Sequence, residues 1–293
     1  MEFKNIVRNF GLILLFLIIN PLLSSSSKLY NDKFCNVLLI INFNHPYYKN
    51  IDFIKRLYSP FFPNIVFYGE SVDPRVTALP TQKGYYIAEV LKDVLTKYPD
   101  YEGYLFLEDD CVLNMWNCFS FDTQKIWILP NFNRNLNVTQ YHIDFFIANV
   151  VTGYEGSQWG WWFPHSYEPA KKAYYTLLPS DVAILEHNIG YKNICSASAD
   201  MFYFPGRLSK QVMRLADHFK NVYIEIMVPT LLACMDYKEN WEKVTIIWGV
   251  AEGDLQRNWP ELFSCVHPLK LSSATNQAII KRIFESKMPG LII

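Results

Sequence analysis

Gly103-Tyr104-Leu105-Phe106-Leu107-Glu108-Asp109-Asp110-Cys111-Val112-Leu113-Asn114 is an apolar run that stops abruptly in three consecutive acids. A short aliphatic and aromatic run of this kind predicts a buried strand. Like charges gathered at its end repel one another unless a cation or water takes up the field. Taken alone, such an end is a solvated turn. The residue types also suit a hard divalent cation, because Mg²⁺ and Mn²⁺ are commonly held by one or two carboxylates together with substrate phosphates. What surrounds the stretch decides between the two.

Upstream, Asn36-Val37-Leu38-Leu39-Ile40-Ile41-Asn42-Phe43-Asn44 is a second apolar run with a polar end, read as the first, central strand of an α/β sheet. His45-Pro46-Tyr47-Tyr48 then forms the loop at its carboxyl end, where open α/β sheets bind ligands. A helix is expected over residues 48–58 and a strand over 64–69. An amphipathic helix over 85–97, with Tyr86, Ile87, Val90, Leu91, Val94 and Leu95 at helical spacing, leads into the acidic strand. Strand, helix and strand in that order make a parallel, right-handed unit. The fold class is therefore α/β, with a Rossmann-like, mixed and mainly parallel central sheet flanked by helices and the acids at a strand's carboxyl end.

Downstream the texture changes. Residues 116–175 carry many aromatics without sustained periodicity; Ile126 to Leu129 read as a short strand, and Gln158-Trp159-Gly160-Trp161-Trp162-Phe163-Pro164-His165 is either a platform for sugar rings or bases or a piece of core. Residues 167–188 read as helical, with Pro179 breaking or separating two helices. In Ser196-Ala197-Ser198-Ala199-Asp200-Met201-Phe202 small residues allow close backbone approach to a ligand, and Asp200 either orients sugar hydroxyls or caps a turn. An amphipathic helix follows over 208–219. Glu225 is a lone acid in an apolar stretch. Ionised carboxylates are rarely buried unpaired, so it is a candidate for a tuned pKa, or it pairs with a nearby Lys or Arg. Val244 to Val250 read as a strand. His267 is a candidate metal ligand through a ring nitrogen, although a lone histidine is more often structural, and Lys270 suits a diphosphate. Lys281, Arg282 and Lys287 sit in a closing helix.

The chain has 293 residues, 51% hydrophobic and 16% aromatic, enough for a substantial core, and no linker or repeat divides it, so residues 28–293 are expected to form a single domain. A formal charge of -1 gives no sign of a polyanion-binding surface, and nucleic acid is not an expected partner. Lys4 and Arg8, the apolar run over residues 10–23 and Ser24 to Ser27 give residues 1–27 the form of a secretory signal, cleaved or kept as a type II membrane anchor. Either outcome places the rest in the ER or Golgi lumen or outside the cell. All six cysteines lie beyond that segment, which permits up to three disulfides of unassigned pairing; no CxxC pair suggests zinc. Asn137-Val138-Thr139 is an N-glycosylation sequon.

The acidic block resembles the DxD motif of metal-dependent GT-A glycosyltransferases, and further blocks follow in the order those enzymes use them. Ser198 to Phe202 resembles the acceptor and donor-sugar loop, Ile224-Glu225 the acid at the start of a helix beside the acceptor, and His267 the late histidine of the metal shell. More narrowly, Asn42 to Pro46, Pro63 to Phe67, Asp109 to Asn117 and Val266 to Lys270 are similar to the exostosin-like and plant STELLO-type glycosyltransferases. The likeness covers most of residues 35–275. It implies a GT-A-like fold and Mn²⁺ or Mg²⁺ held by Glu108, Asp110 and His267. Asn42, Asn44, Glu108, Asp109 and Lys270 would bind the donor, and Glu225 and Asp200 would act in catalysis. The expected donor is a nucleotide-diphospho sugar, a UDP-sugar first, and the acceptor a glycan, protein or lipid. Two departures stand out: Glu108 replaces the first aspartate of the motif, and Glu225 an aspartate near the acceptor. A catalytically silent relative that binds glycans or organises other transferases would keep the same fold.

Overall fold

Val37–Phe43 is buried along its whole length, as a strand covered on both faces must be, and forms strand β1. The computed structural model describes residues 32–80, 84–85, 87–129, 132–133, 145–154, 163–249, 252–291 and 293. The apolar leader, the Asn137 sequon and the tryptophans of 158–162 lie outside the described residues. After β1 come α1 (Ile51–Tyr58), β2 (Asn64–Gly69), β3 (Thr77–Ala78), α2 (Ile87–Lys97), β4 (Gly103–Glu108), β5 (Val112–Leu113) and α3 (Met115–Cys118). Next are β6 (Ile126–Ile128), β7 (Phe132–Asn133), β8 (Phe146–Asn149), α4 (Phe163–Tyr174), α5 (Pro179–Ile189), β9 (Asn193–Ser196) and β10 (Met201–Pro205). The chain closes with α6 (Ser209–Phe219), α7 (Ile224–Ala233), β11 (Trp241–Lys243), β12 (Ile246–Trp248), α8 (Glu252–Arg257), β13 (Cys265–His267) and α9 (Ala274–Lys287). Pro179 opens α5, where its missing N–H costs nothing, and so separates two helices as its position predicts.

The main sheet has seven strands in the order β11-β6-β10-β4-β1-β2-β3. β2 and β4 run parallel to β1, β3 to β2 and β11 to β6, whereas β10 is antiparallel to both its neighbours, β4 and β6. This is the mixed, mainly parallel, Rossmann-like α/β sheet that the sequence predicts. Alternation along β1 divides the core in two. Leu39, Ile41 and Phe43 face Ile54 and Leu57 of α1, β5, β13 and Ile280 and Phe284 of α9. Leu38 and Ile40 face Val90 and Leu91 of α2, Val212 and Leu215 of α6, and α7. A second sheet, β5-β13-β12-β7, packs with the first of these layers and carries the last third of the chain back to the end of β4.

All six cysteines lie among the described residues, each as a free thiol, and Cys35 alone of them is exposed. No helix among the described residues is long and apolar enough to cross a membrane.

The start of β4 is held by a close approach. A Cβ at Gly103 would lie 1.8 Å from the Tyr203 hydroxyl. That ring cannot retreat, because it is fully buried, stacks on Trp127 at 4.2 Å and donates its hydroxyl to the Thr123 carbonyl at 2.7 Å. Gly103→Ala is therefore expected to cost about 1–3 kcal/mol in urea-unfolding experiments. An unchanged midpoint would mean the Tyr203 ring has room to move.

Candidate functional site

The carboxyl edge of the main sheet gathers its acids because of strand direction. In the parallel pair β1 and β4, Asn42 and Glu108 are register partners and stand side by side. β10 runs the other way, so its beginning lies against the end of β4: Met201 pairs with Leu107, and the Glu108 N–H donates to the Asp200 carbonyl at 2.9 Å. β13 ends at His267, and the Leu269 N–H donates to the Asp110 carbonyl at 2.7 Å. Three chain segments far apart in sequence thus meet where the acidic strand ends.

The centre is the His267 imidazole. Its Nε2 lies 3.2 Å from Asp110 Oδ1 and 3.3 Å from Asp200 Oδ1. The Lys270 ammonium donates to Asp110 Oδ2, and the Ser198 hydroxyl to Asp200 Oδ2. Burial alone would raise the Asp110 carboxyl, but hydrogen bonds and charge from His267 and Lys270 outweigh it and hold the group well below the usual carboxylate range. Burial would likewise lower His267, yet the charges of Asp200 and Asp110 raise it above its ordinary value. Asp109 goes the other way. Burial and the adjacent Asp110 charge push it up to about 7, against smaller opposing effects of Lys270 and His267.

Glu108 is held by two amides. It is 3% exposed and accepts from Asn42 Nδ2 at 3.2 and 3.0 Å and from Asn44 Nδ2 at 2.9 Å. Burial, with the charges of Asp200, Asp109 and Asp110 added, raises its carboxyl well above the usual range against the lowering effect of the Asn42 hydrogen bond. Of the three expected metal ligands, Asp110 and His267 meet, and Asp200, which the sequence suggested for orienting sugar, also lies beside the imidazole. The shared register of Asn42 and Glu108 sets Glu108 against the amides of Asn42 and Asn44. Both amides, expected at the donor, donate through Nδ2 to Glu108. An aspartate at the start of an antiparallel strand can be matched to a distant strand end only once the pairing is known.

Glu225 lies in the first turn of α7, and its backbone carbonyl accepts from the Ala197 N–H at 3.0 Å, tying that helix to the small-residue loop. Burial first, and then the charges of Asp200 and Glu108, raise its carboxyl well above the usual range. Of the eight buried side-chain polar atoms without a hydrogen-bond partner among the described residues, four are Asn42 Oδ1, Asn44 Oδ1, Glu225 Oε2 and His267 Nδ1. Such atoms are scarce in native proteins, and their concentration at one sheet edge is what a ligand site presents. Among the described residues, no group of three or more His, Cys, Asp or Glu side chains is arranged so that it could hold a metal ion. Here the acids and the imidazole are hydrogen-bonded to one another.

No protein-family model matches the chain. It is similar to the probable glycosyltransferase STELLO1 of Arabidopsis thaliana, 24% identical over 220 residues that make up 73% of this chain and 26% of that protein. It is also similar to the probable glycosyltransferase STELLO2 of the same plant, 22% identical over 273 residues, 87% of this chain and 32% of that protein. The chain spans between a quarter and a third of the length of these curated relatives. The resemblance to STELLO-type proteins expected from Asp109 to Asn117 and Val266 to Lys270 is thus found over most of the chain.

The electrostatics of this edge carry a sign that can be measured. Asp109 binds its proton more tightly folded, at about 7, than unfolded, near 4. Its contribution is therefore present at low pH and lost as pH rises through about 7. Glu108 and Glu225 act in the same direction, and so does His267, whose contribution fades above the ordinary histidine range. Thermal melting in chelator is expected to drop between pH 5 and 8, by on the order of a few kcal/mol of stability, and Asp109→Asn to flatten the slope. A melting temperature that climbs over this range would contradict the arrangement.

Proposed function

We propose that this chain is a metal-dependent glycosyltransferase that moves a sugar from a nucleotide-diphospho donor, a UDP-sugar first, to a glycan, protein or lipid acceptor in the secretory pathway. The reading is carried by one observation: Asp110 and Asp200, from separate elements, converge on one imidazole nitrogen at the carboxyl edge of a mainly parallel sheet, with a lysine beside them. The glycosyltransferase names of the two plant relatives support it.

The donor types suit Mn²⁺ or Mg²⁺, although the side chains would have to turn from one another toward an ion that they do not surround here. Two carboxylate oxygens and one imidazole nitrogen within 3.3 Å form the oxygen-rich set with one nitrogen that such ions accept. A protonated imidazole shared between two carboxylates stands where a cation's charge would be needed, so Asp110, Asp200 and neutral His267 are the proposed ligands. The bound ion would supply Lewis-acid neutralisation of the departing nucleotide diphosphate. Lys270, with 59% of its side chain exposed, keeps donors free to face phosphate oxygens while pairing with Asp110. Glu108, clamped by two amides, keeps the end of β4 in place behind Asp109 and Asp110. His45 and Tyr47, in the loop after β1, offer rings to the base or sugar.

Glu225 is the residue proposed to act on the acceptor. Its Oε2 has no partner, and its raised pKa makes the ionised form a stronger base, suited to taking a hydroxyl proton in an inverting transfer. In a retaining transfer the same carboxylate faces the positive charge that develops on the donor sugar. The anomeric configuration of the product, read by NMR, separates these roles.

Calorimetric titration of the protein with a panel of nucleoside diphosphates, with and without Mn²⁺, tests the donor site. Saturable, metal-dependent binding is expected, weakened at least tenfold in Asp110→Asn with the fold retained, as its circular dichroism spectrum reads it. Binding that ignores this substitution would remove the acids from the site. Glu225→Gln is expected to keep nucleotide binding and lower turnover about 10²–10⁴-fold. Metal-dependent binding without turnover on any acceptor would favour the silent relative.

A further inference from the structure

The stretch that begins at Glu108 does not end with its acids. Cys111 follows Asp110 directly, and Cys265 precedes His267 by two residues. β5 and β13 pair antiparallel with Cys265 opposite Leu113 and Val266 opposite Val112. Cys111, two residues before Leu113, therefore lies on the same face as Cys265, as its diagonal neighbour across the ladder. Both side chains are buried in one core cluster, and their Sγ atoms are 2.6 Å apart, nearing the roughly 2.05 Å of a disulfide.

We propose that Cys111 and Cys265 form a disulfide when the chain folds in an oxidising environment, and that this cross-link locks the acidic turn to the strand that carries His267. Each thiol gives up one hydrogen, the Sγ–Sγ bond forms, and a disulfide oxidant such as oxidised glutathione or an oxidised dithiol oxidoreductase is reduced to two thiols. Burial makes this a bond formed during folding and not a surface switch, since the closed core excludes the oxidant. It closes a loop of 154 residues, and long loops are those for which a cross-link restricts the unfolded chain most. Its placement matters because the Asp110 and His267 side chains leave the same turn and the same strand. The cross-link does not depend on the glycosyltransferase reading; only its consequence for Asp110 and His267 does.

The competing pairing is with Cys118, buried in the same cluster. The test is peptide mapping of the full chain, expressed through a eukaryotic secretory pathway and, separately, refolded with oxidised glutathione, after alkylation of free thiols under denaturing, non-reducing conditions. A peptide containing Cys111 linked to one containing Cys265, with Cys118 alkylated, is the expected result. Reductant should then lower the melting temperature of the wild type by roughly 5–10 °C and leave Cys111→Ala/Cys265→Ala unaffected. Alkylation of both Cys111 and Cys265, or a link from either to Cys118, overturns the proposal. Should the double variant fail to fold, the mapping alone still decides.

Discussion

The His267 imidazole, held at 3.2 and 3.3 Å between Asp110 and Asp200, is the contact on which this end of the molecule depends. Carboxylates brought together at a buried sheet edge repel one another and lose their hydration, and each effect disfavours the ionised form. The protein answers in two ways. Asp110 is given cationic partners, His267 and Lys270, and stays ionised; Glu108 and Glu225 have no cation and are pushed toward the neutral form. Charge and proton are thus distributed unevenly over a few neighbouring carboxyls, which is the condition for assigning them different chemical tasks.

That distribution rests on apolar packing beneath it. β4 and β1 are buried on both faces, so their ends are rigid and their register is specified by the hydrophobic pattern of each strand. The second sheet brings β13 against β5, and the core formed by α1, β5, β13 and α9 holds Asp110 and His267 at a common edge. Asn114, buried directly after β5, accepts from the Trp259 indole at 2.8 Å and donates to the Pro260 and Phe263 carbonyls, tying the loop before β13 to the segment after β5. The site is therefore buttressed from below by polar contacts as well as by hydrophobic ones.

Much of this was legible in residue order. The strands at Val37–Phe43, Asn64–Gly69 and Gly103–Glu108, the helices between them, and the placing of Glu108, Asp109 and Asp110 at a strand's carboxyl end follow from apolar runs of strand length separated by amphipathic spacing. The lone acid Glu225 and the pair His267 and Lys270 were likewise marked by being polar groups in apolar surroundings. Those signals are local, and local sequence is enough to produce them.

Pairing between distant strands is not local. Nothing in Ser198-Ala199-Asp200 states that β10 runs antiparallel beside β4, yet that direction alone brings Asp200 to His267. Nothing in the acidic block states that Glu108 shares a register with Asn42, yet that alone places it in an amide clamp. The facing of Cys111 and Cys265 across 154 residues has the same origin. The sequence by itself determined which elements exist and which residues are chemically capable. The tertiary structure decided which of them meet, because strand direction and register are chosen by the burial of whole faces, a property of the assembled sheet and of no single segment.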